Sequence, residues 1–301
     1  MTNNQNNEPA DLAAHAAQVR RYALTAIHRA GSGHPGGALS AADILTCLYR
    51  SELRLQADDP AWPDRDRFVL SKGHSCPALY GALADSGLID RALIPTFRKL
   101  GSPLQGHPFV GALAWIEAST GSLGQGFSQA IGMALGLRHL DRQARVYVLL
   151  GDGELQEGEI WEGAMCAAHH QLAGLCAIVD YNKLQSDNCP ANIMELEPLA
   201  DKWRAFGWNT LQIDGHDIPA ILGAFDAARA HGDAPTVIIA DTVKGQGVSF
   251  MAGAPHWHGS VKMKDDELER ALDELGAGAP EIAWALGHSS LGQGAVDHVG
   301  H

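Results

Sequence analysis

The 301-residue sequence is short of cysteine and of long apolar runs, and each shortage argues against a class of protein. Its five cysteines are odd in number and contain no CxxC pair, so they indicate neither a disulfide framework nor a zinc ribbon. No uninterrupted apolar run reaches the ~18 residues that a membrane-spanning helix needs. The first residues are polar and uncharged where a signal peptide would be basic and then apolar. The sequence therefore predicts a cytoplasmic protein without a membrane partner.

Positive charge is also scarce. Lys and Arg number 22 against 35 Asp and Glu, which gives a net charge of −13. This balance argues against nucleic acid or an anionic membrane as the main partner. A phosphate compound would have to be bound by local basic groups, backbone amides or a metal. By contrast, the 15 histidines and 34 glycines are plentiful, and these residues suit proton transfer and close backbone approach to a ligand.

Short apolar runs alternate with helical segments along the chain. Strands are predicted at 68–70, 146–150, 175–179, 210–213 and 236–240. Helices are predicted at 10–30, 124–140, 158–170 and 219–230, with a further helix that starts at an N-cap, Ser40. This alternation predicts an α/β fold with a doubly wound, mainly parallel sheet and helices on both faces.

The domain limits follow from the same pattern. One domain is expected over 10–276, after a disordered tail at 1–9. Residues 277–301 turn to Gly, Ala, Ser and His, which predicts a loosely ordered C-terminal tail.

Polar residues follow two neighbouring predicted strands. A Gly-Asp-Gly triplet occupies 151–153 and Asn182 ends the next strand. Because ligands of parallel sheets bind at the carboxyl ends of the strands, Asp152 and Asn182 are expected to lie together. Their oxygens are hard ligands suited to Mg²⁺ or Ca²⁺. The triplet alone is typical of a tight turn, but with an asparagine after the next strand it favours a metal and anion site.

The stretch 150–182 resembles the thiamine diphosphate motif, and residues 10–265 resemble the N-terminal half of transketolase. Further blocks occur in family order: SGHPGG at 32–37, LSKGH at 70–74, GHP at 106–108, TGSLGQG at 120–126, LQEG at 155–158, AFGW at 205–208, DGHD at 214–217, KGQG at 244–247 and WHG at 257–259. The resemblance implies a thiamine-diphosphate-binding fold of the diphosphate-binding type. It implies thiamine diphosphate and Mg²⁺ as cofactors, with Ca²⁺ or Mn²⁺ as substitutes for the metal.

The resemblance also implies roles for single residues. The metal ligands would be Asp152, Asn182 and the backbone carbonyl of Leu184. The implied cofactor-binding residues are His74, Ser122, Leu123, Gly151, Gly153, Glu154, Asn182, Lys244 and His258. Lys244 lies in a glycine-rich turn, so its residue type alone also fits a solvated loop charge.

Four residues form the implied catalytic set: His34, His107, His258 and Glu157. A lone histidine is more often a surface or core residue, but these three lie in irregular glycine- or proline-containing loops. The resemblance implies that they bind the hydroxyls and carbonyl oxygen of a sugar and move protons. Glu157 lies on the first turn of a predicted helix, where it also suits the helix dipole without any function. The resemblance places it at a subunit interface.

The implied reaction transfers a two-carbon ketol unit from a ketose, expected to be phosphorylated, to an aldose. Full-length transketolases have a further pyrimidine-binding domain that supplies an activating glutamate. The sequence is therefore expected to be one subunit of a split transketolase, which works with a C-terminal partner subunit in an α2β2 assembly. Two alternatives stay open: the α-type subunit of a 2-oxo acid dehydrogenase, and a non-catalytic regulatory paralogue.

Overall fold

A computed structural model describes residues 8–184, 193–257 and 259–289. One predicted site residue, His258, lies outside the described residues, as do most of the two predicted tails. Within the described part of the chain, no helix is both long enough and apolar enough to cross a membrane.

The strands of the described residues form one parallel sheet of order β1-β2-β3-β5-β4. Their bounds are β1 (Arg67–Leu70), β2 (Val146–Gly151), β3 (Leu175–Tyr181), β4 (Asn209–Asp214) and β5 (Thr236–Asp241). Every residue of β2 is buried, as expected for a strand that is covered on both faces. The predicted α/β class is confirmed, and all five predicted strands are present.

Ten α-helices lie in the described residues. They are α1 (Pro9–Ala30), α2 (Pro35–Ser40), α3 (Ala42–Cys47), α4 (Cys76–Asp85), α5 (Gln125–His139), α6 (Gly158–His169), α7 (Leu199–Ala205), α8 (Ile218–Ala230), α9 (Asp265–Glu274) and α10 (Ala279–Leu286). Short 3-10 turns follow β1 and β2, at Gly73–Ser75 and Gly153–Gln156.

The helices cover the two faces of the sheet because successive side chains of each strand point to opposite sides. On β2, Tyr147 and Leu149 join the core formed with α1, α3, α4 and α8. Val148 and Leu150 join a second core with α5, α6 and α7, around the buried Trp203. Both faces are therefore closed, and the strand ends are left as the place where polar side chains gather.

Two local predictions differ from the structure. Ser40 is the last residue of α2 and not a helix N-cap, because its buried hydroxyl donates to the Asp180 carboxylate at 2.6 Å. The segment predicted as a loose C-terminal tail contains α10, whose Trp284 is buried and packs edge-on against Tyr22 with ring centroids 6.1 Å apart. The sequence analysis predicted a loose tail here because alanine and glycine dominate the segment, and the apolar face of α10 is only a few residues long. At the other end, α1 begins at Pro9, one residue inside the predicted tail.

Candidate functional site

Polar side chains from four segments converge at the carboxyl edge of the sheet. Lys72 follows β1, Asp152 follows β2, Asn182 follows β3 and Lys244 lies on the loop after β5. All four are buried, with exposed fractions of 1%, 3%, 7% and 2%. The register that pairs Gly151 with Asp180 explains why the turns after β2 and β3 meet. The structure thus brings together residues that are far apart in the sequence.

The three predicted metal ligands lie at this junction. The Asp152 carboxylate accepts the amide of Lys183 at 2.6 Å and that of Gly153 at 2.8 Å. The Asn182 side-chain oxygen accepts the Leu184 amide at 3.2 Å. The carbonyl of Leu184 accepts a hydrogen bond from the Lys244 ammonium. The two adjoining turns after β2 and β3 therefore present a carboxylate, an amide oxygen and a carbonyl oxygen.

These oxygens fit a hard divalent cation. Burial, and then the nearby Asp180 carboxylate, raise the pKa of Asp152 to about 6. The protein's own positive groups therefore do not fully offset the cost of burying the Asp152 negative charge. A bound cation would supply the missing compensation, and carboxylate, amide and carbonyl oxygens are the ligands such cations prefer. Among the described residues, no group of three or more His, Cys, Asp or Glu side chains could hold a metal, so the fit depends on this mixed donor set.

Lys244 is not a solvated loop charge. Its ammonium donates to the Leu184 carbonyl, and its stem lies so close to Gly36 that a Cβ there would come within 2.8 Å of the Lys244 Cγ. The Gly245 amide also donates to the Gly36 carbonyl at 3.0 Å. Burial, followed by the positive charge of Lys72, lowers the pKa of Lys244 to about 8. This cation is held inside the site, beside Asp152 and Asp180.

His34 and His74 meet beside the same junction, with ring centroids 5.4 Å apart. His34 Nδ1 is buried and has no hydrogen-bond partner among the residues that the structure describes. Burial, then the charges of Arg98, His107 and Lys244, lower the pKa of His34 to about 4. His34 is therefore a neutral imidazole near pH 7, with a nitrogen available to a ligand.

His107 is exposed and lies over Gly121. A Cβ on Gly121 would lie only 3.1 Å from His107 Cδ2, and the backbone φ of +143° there also suits glycine. Although the residue is exposed, partial desolvation of the ring, and then the Arg98 charge, lower the pKa of His107. Because the charge of His107 also acts on His34, the two predicted sugar-binding histidines share one electrostatic environment.

Arg98 is a site residue that the motifs did not reveal. Its guanidinium donates to the Ser32 hydroxyl at 2.9 Å and lies 5.2 Å from the Phe97 ring centroid. Its positive charge lowers the pKa of both His34 and His107. Arg98 belongs to none of the recognised sequence blocks, so only the fold shows that it lies with the two histidines.

His216 is a second residue whose role was missed, although its DGHD block was noted. Its Nδ1 lies 2.7 Å from an Asp43 carboxylate oxygen, and its Nε2 accepts the Val243 amide at 2.8 Å. Since Nε2 accepts, the ring proton is on Nδ1 and points to Asp43. His216 therefore anchors the backbone just before Lys244.

The remaining predicted residues take different positions. Glu154 is buried and faces inward, and its carboxylate accepts hydrogen bonds from the Gly124 and Gly151 amides. Ser122 is exposed and Leu123 half-buried, just before the start of α5. Glu157 is exposed immediately before α6, where it faces outward. Gly153 opens the turn that is bound by Asp152.

Comparisons with known proteins point to one family. Residues 12–285 match the family described as transketolase, thiamine diphosphate binding domain. Over 265 residues, the chain is 42% identical to the 6-deoxy-6-sulfo-D-fructose transketolase subunit SqwG of Clostridium sp. (strain MSTE9). The alignment covers 88% of this chain and 96% of that subunit. Over 262 residues it is 42% identical to the transketolase of Homo sapiens, covering 86% of this chain but only 41% of the human protein.

A solved structure agrees with these relatives. The transketolase from Leishmania mexicana superposes with a TM-score of 0.84 at 27% sequence identity, over 92% of this chain and 44% of that protein. The chain thus spans less than half of these longer transketolases and nearly all of the Clostridium subunit. The resemblance inferred from the motifs is confirmed, and the matches favour transketolase over the dehydrogenase alternative.

The low pKa of His34 leads to a pH prediction. In the unfolded chain an imidazole takes up a proton below about pH 6.5, whereas folded His34 does so only near pH 4. Protonation therefore favours the unfolded state, and part of the free energy of unfolding is lost as the pH falls from 6.5 to 4. We expect His34→Asn to show a shallower loss of stability across this window in urea unfolding.

An imidazole NMR titration provides the direct check. One signal, absent from His34→Asn, is expected to titrate near pH 4. The matched control is His139→Asn, which replaces an exposed histidine on α5 and keeps that signal. A His34 signal that titrates at the ordinary position would show that the ring is neither desolvated nor close to the other cations.

Proposed function

We propose that this chain, which belongs to the transketolase family through its thiamine-diphosphate-binding domain, is the diphosphate-binding subunit of a two-subunit transketolase. It transfers a two-carbon ketol unit from a ketose to an aldose. The observation that carries the proposal is a group of oxygen donors, Asp152, Asn182 and Leu184, where the turns after β2 and β3 meet, with the neutral His34 beside it. The oxygen donors suit a diphosphate held through a metal ion, and the neutral His34 suits a sugar.

The cofactor is held by local groups in spite of the net charge of −13. Asp152, Asn182 and the Leu184 carbonyl bind Mg²⁺, for which Ca²⁺ or Mn²⁺ can substitute, and the metal neutralises the diphosphate. The Gly153 amide and His74 bind the diphosphate from the protein side. Support for this arrangement comes from the burial of Asp152 and from the ammonium groups of Lys72 and Lys244 nearby.

When bound, thiamine diphosphate supplies the electron sink for cleavage and formation of the carbon–carbon bond. The chain itself binds the sugar and handles its protons. His34, whose Nδ1 has no partner in the described part of the chain, accepts a hydrogen bond or a proton from a sugar hydroxyl. His107 and Arg98 bind the sugar oxygens from the exposed rim, and His258 is assigned with them by its motif. The low pKa of His34 keeps it available as a base near neutral pH.

A partner subunit completes the enzyme. The Clostridium relative is itself called a subunit, and this chain covers 96% of it. The partner supplies the pyrimidine-binding domain, in an α2β2 assembly. Exposed Glu157 lies where such a partner can reach it. The donor is a ketose carrying a phosphate or another acidic group, which Arg98 suits by charge, and the assembly works in the cytoplasm.

Asp152→Ala tests the metal site. Without this carboxylate the site binds Mg²⁺ more weakly, and the metal no longer offsets the repulsion between the diphosphate and an acidic protein. We therefore expect Mg²⁺-dependent binding of thiamine diphosphate to be lost. Calorimetric titration of the reconstituted assembly with thiamine diphosphate and Mg²⁺ measures this. The control is Asp201→Ala, which removes an exposed carboxylate on α7 that pairs with Arg204. Equal affinity in Asp152→Ala and wild type would disprove the ligand assignment.

His107→Ala tests the sugar site. We expect turnover to fall by ~10²–10⁴, because a group that binds and protonates the sugar is lost, while the affinity for thiamine diphosphate stays unchanged. Steady-state ketol transfer and cofactor titration, made on the same assembly, separate the two effects. His170→Ala, an exposed histidine just after α6, is the control. Unchanged ketol transfer by His107→Ala would remove this residue from the mechanism.

Mixing the subunits tests the partner. The purified chain, saturated with Mg²⁺ and thiamine diphosphate, is expected to catalyse no ketol transfer, because the proposed partner subunit supplies the pyrimidine-binding domain and its activating glutamate. Addition of the partner subunit should restore turnover and tighten cofactor binding, and the titration should end at one partner per chain. Full turnover by this chain alone would contradict the two-subunit proposal.

A further inference from the structure

Glu154 is a buried acid whose carboxylate accepts three hydrogen bonds from the protein. It lies in the 3-10 turn after β2 and is only 2% exposed. One carboxylate oxygen accepts the Gly124 amide at 2.9 Å and also the Ser71 hydroxyl, and the other accepts the Gly151 amide at 3.0 Å. Three donors therefore converge on two oxygens, and each donor comes from a different part of the chain.

Each donor lies next to a segment of the proposed site. Ser71 precedes Lys72 and the turn that carries His74. Gly124, with φ of +87°, ends the loop of Ser122 and Leu123 and leads into α5. Gly151 immediately precedes Asp152 and Gly153. The Glu154 side chain thus connects three segments: the Gly151–Gly153 turn, the Ser122–Gly124 loop and the Ser71–His74 turn.

The surroundings leave little room for another arrangement. A Cβ on Gly126, in the first turn of α5, would lie 2.6 Å from the Ser71 hydroxyl oxygen. The helix start and the end of β1 are therefore in direct contact around Glu154.

Only a carboxylate satisfies all three donors. Glutamine has the same shape but replaces one acceptor oxygen with an NH₂ donor. In either orientation of the amide, that NH₂ faces the backbone amide of Gly124 or that of Gly151, and one of the two loses its acceptor. The Ser71 hydroxyl can rotate and accept a hydrogen bond instead. The group left without an acceptor is therefore the backbone amide of Gly124 or of Gly151.

We infer that Glu154 is a positioning residue: its carboxylate sets the relative placement of the Gly151–Gly153 turn, the Ser122–Gly124 loop and the Ser71–His74 turn, and so the fit of the diphosphate between them. This inference rests on the proposed function. Glu154 acts through these segments and does not touch the cofactor.

The test compares Glu154→Gln with a matched control, Glu52→Gln. Glu52 is also buried and accepts hydrogen bonds from Tyr147 and Arg229, neither of which is a predicted site residue. Titration of the reconstituted assembly with thiamine diphosphate in excess Mg²⁺ is expected to show affinity weakened ~10–100-fold in Glu154→Gln, the usual effect of residues that orient ligand-binding groups. Glu52→Gln is expected to keep wild-type affinity although its thermal midpoint falls.

Amide hydrogen exchange adds a readout independent of activity. Gly124 and Gly151 are expected to exchange faster in Glu154→Gln than in wild type and in Glu52→Gln. Should Glu154→Gln fail to fold, Glu154→Asp keeps two acceptor oxygens on a side chain one methylene shorter, and it is expected to weaken cofactor binding in the same direction.

The outcomes separate the two proposals. Wild-type affinity in the Glu154 variants, or equal weakening in Glu52→Gln, would overturn the positioning role while wild-type binding still supports the proposed function. A wild-type assembly that binds no thiamine diphosphate would overturn the proposed function, and the inference with it.

Discussion

The buried ion pair between Lys72 and Asp180 joins the segments on which the site depends. Asp180 is fully buried at the end of β3, and it also accepts hydrogen bonds from the hydroxyls of Ser40 and Thr242. Burial opposes ionisation, but Lys72 and these hydrogen bonds outweigh it and hold the pKa of Asp180 below its usual range. Loss of one member of such a pair typically costs ~3–5 kcal/mol, because the other charge stays buried without a partner. This pair therefore fixes the ends of β1, β3 and β5 and the end of α2 relative to one another.

Around that pair, buried cations lie beside the carboxylates of Asp152 and Asp180, so positive charge is concentrated at the site of an acidic molecule. Lys72 and Lys244 are buried within the site and Arg98 lies at its rim, whereas the chain as a whole has a net charge of −13. Charges in a buried site act through a low dielectric and count for more than distant surface charges. Burial, then the charges of Arg98, His107 and Lys244, keep His34 neutral, so two of the site's cations also help to leave this imidazole as a hydrogen-bond acceptor.

Much of the geometry depends on buried side chains that accept backbone hydrogen bonds. Glu154 holds the amides of Gly124 and Gly151, Asp152 holds those of Gly153 and Lys183, and His216 holds that of Val243. Each of these bonds satisfies a backbone donor near a loop, where no neighbouring strand is available. Loops that would otherwise be mobile are thereby made part of the rigid sheet edge, which is what a site for a charged ligand requires.

The sequence by itself determined the parallel sheet, because continuous apolar runs such as 146–150 can only be buried strands, and it determined that Asp152 and Asn182 share one edge. Its motifs also identified the family. Tertiary structure alone decided that Arg98 joins His34 and His107, that His216 anchors the Lys244 loop, that Glu154 faces inward and that Ser40 bonds to Asp180. The physical reason is that periodicity and local motifs report on neighbours along the chain. The partners of a buried polar group, such as Ser71 and Gly124 around Glu154, come from distant segments, and only the packing of the fold brings them within hydrogen-bonding distance.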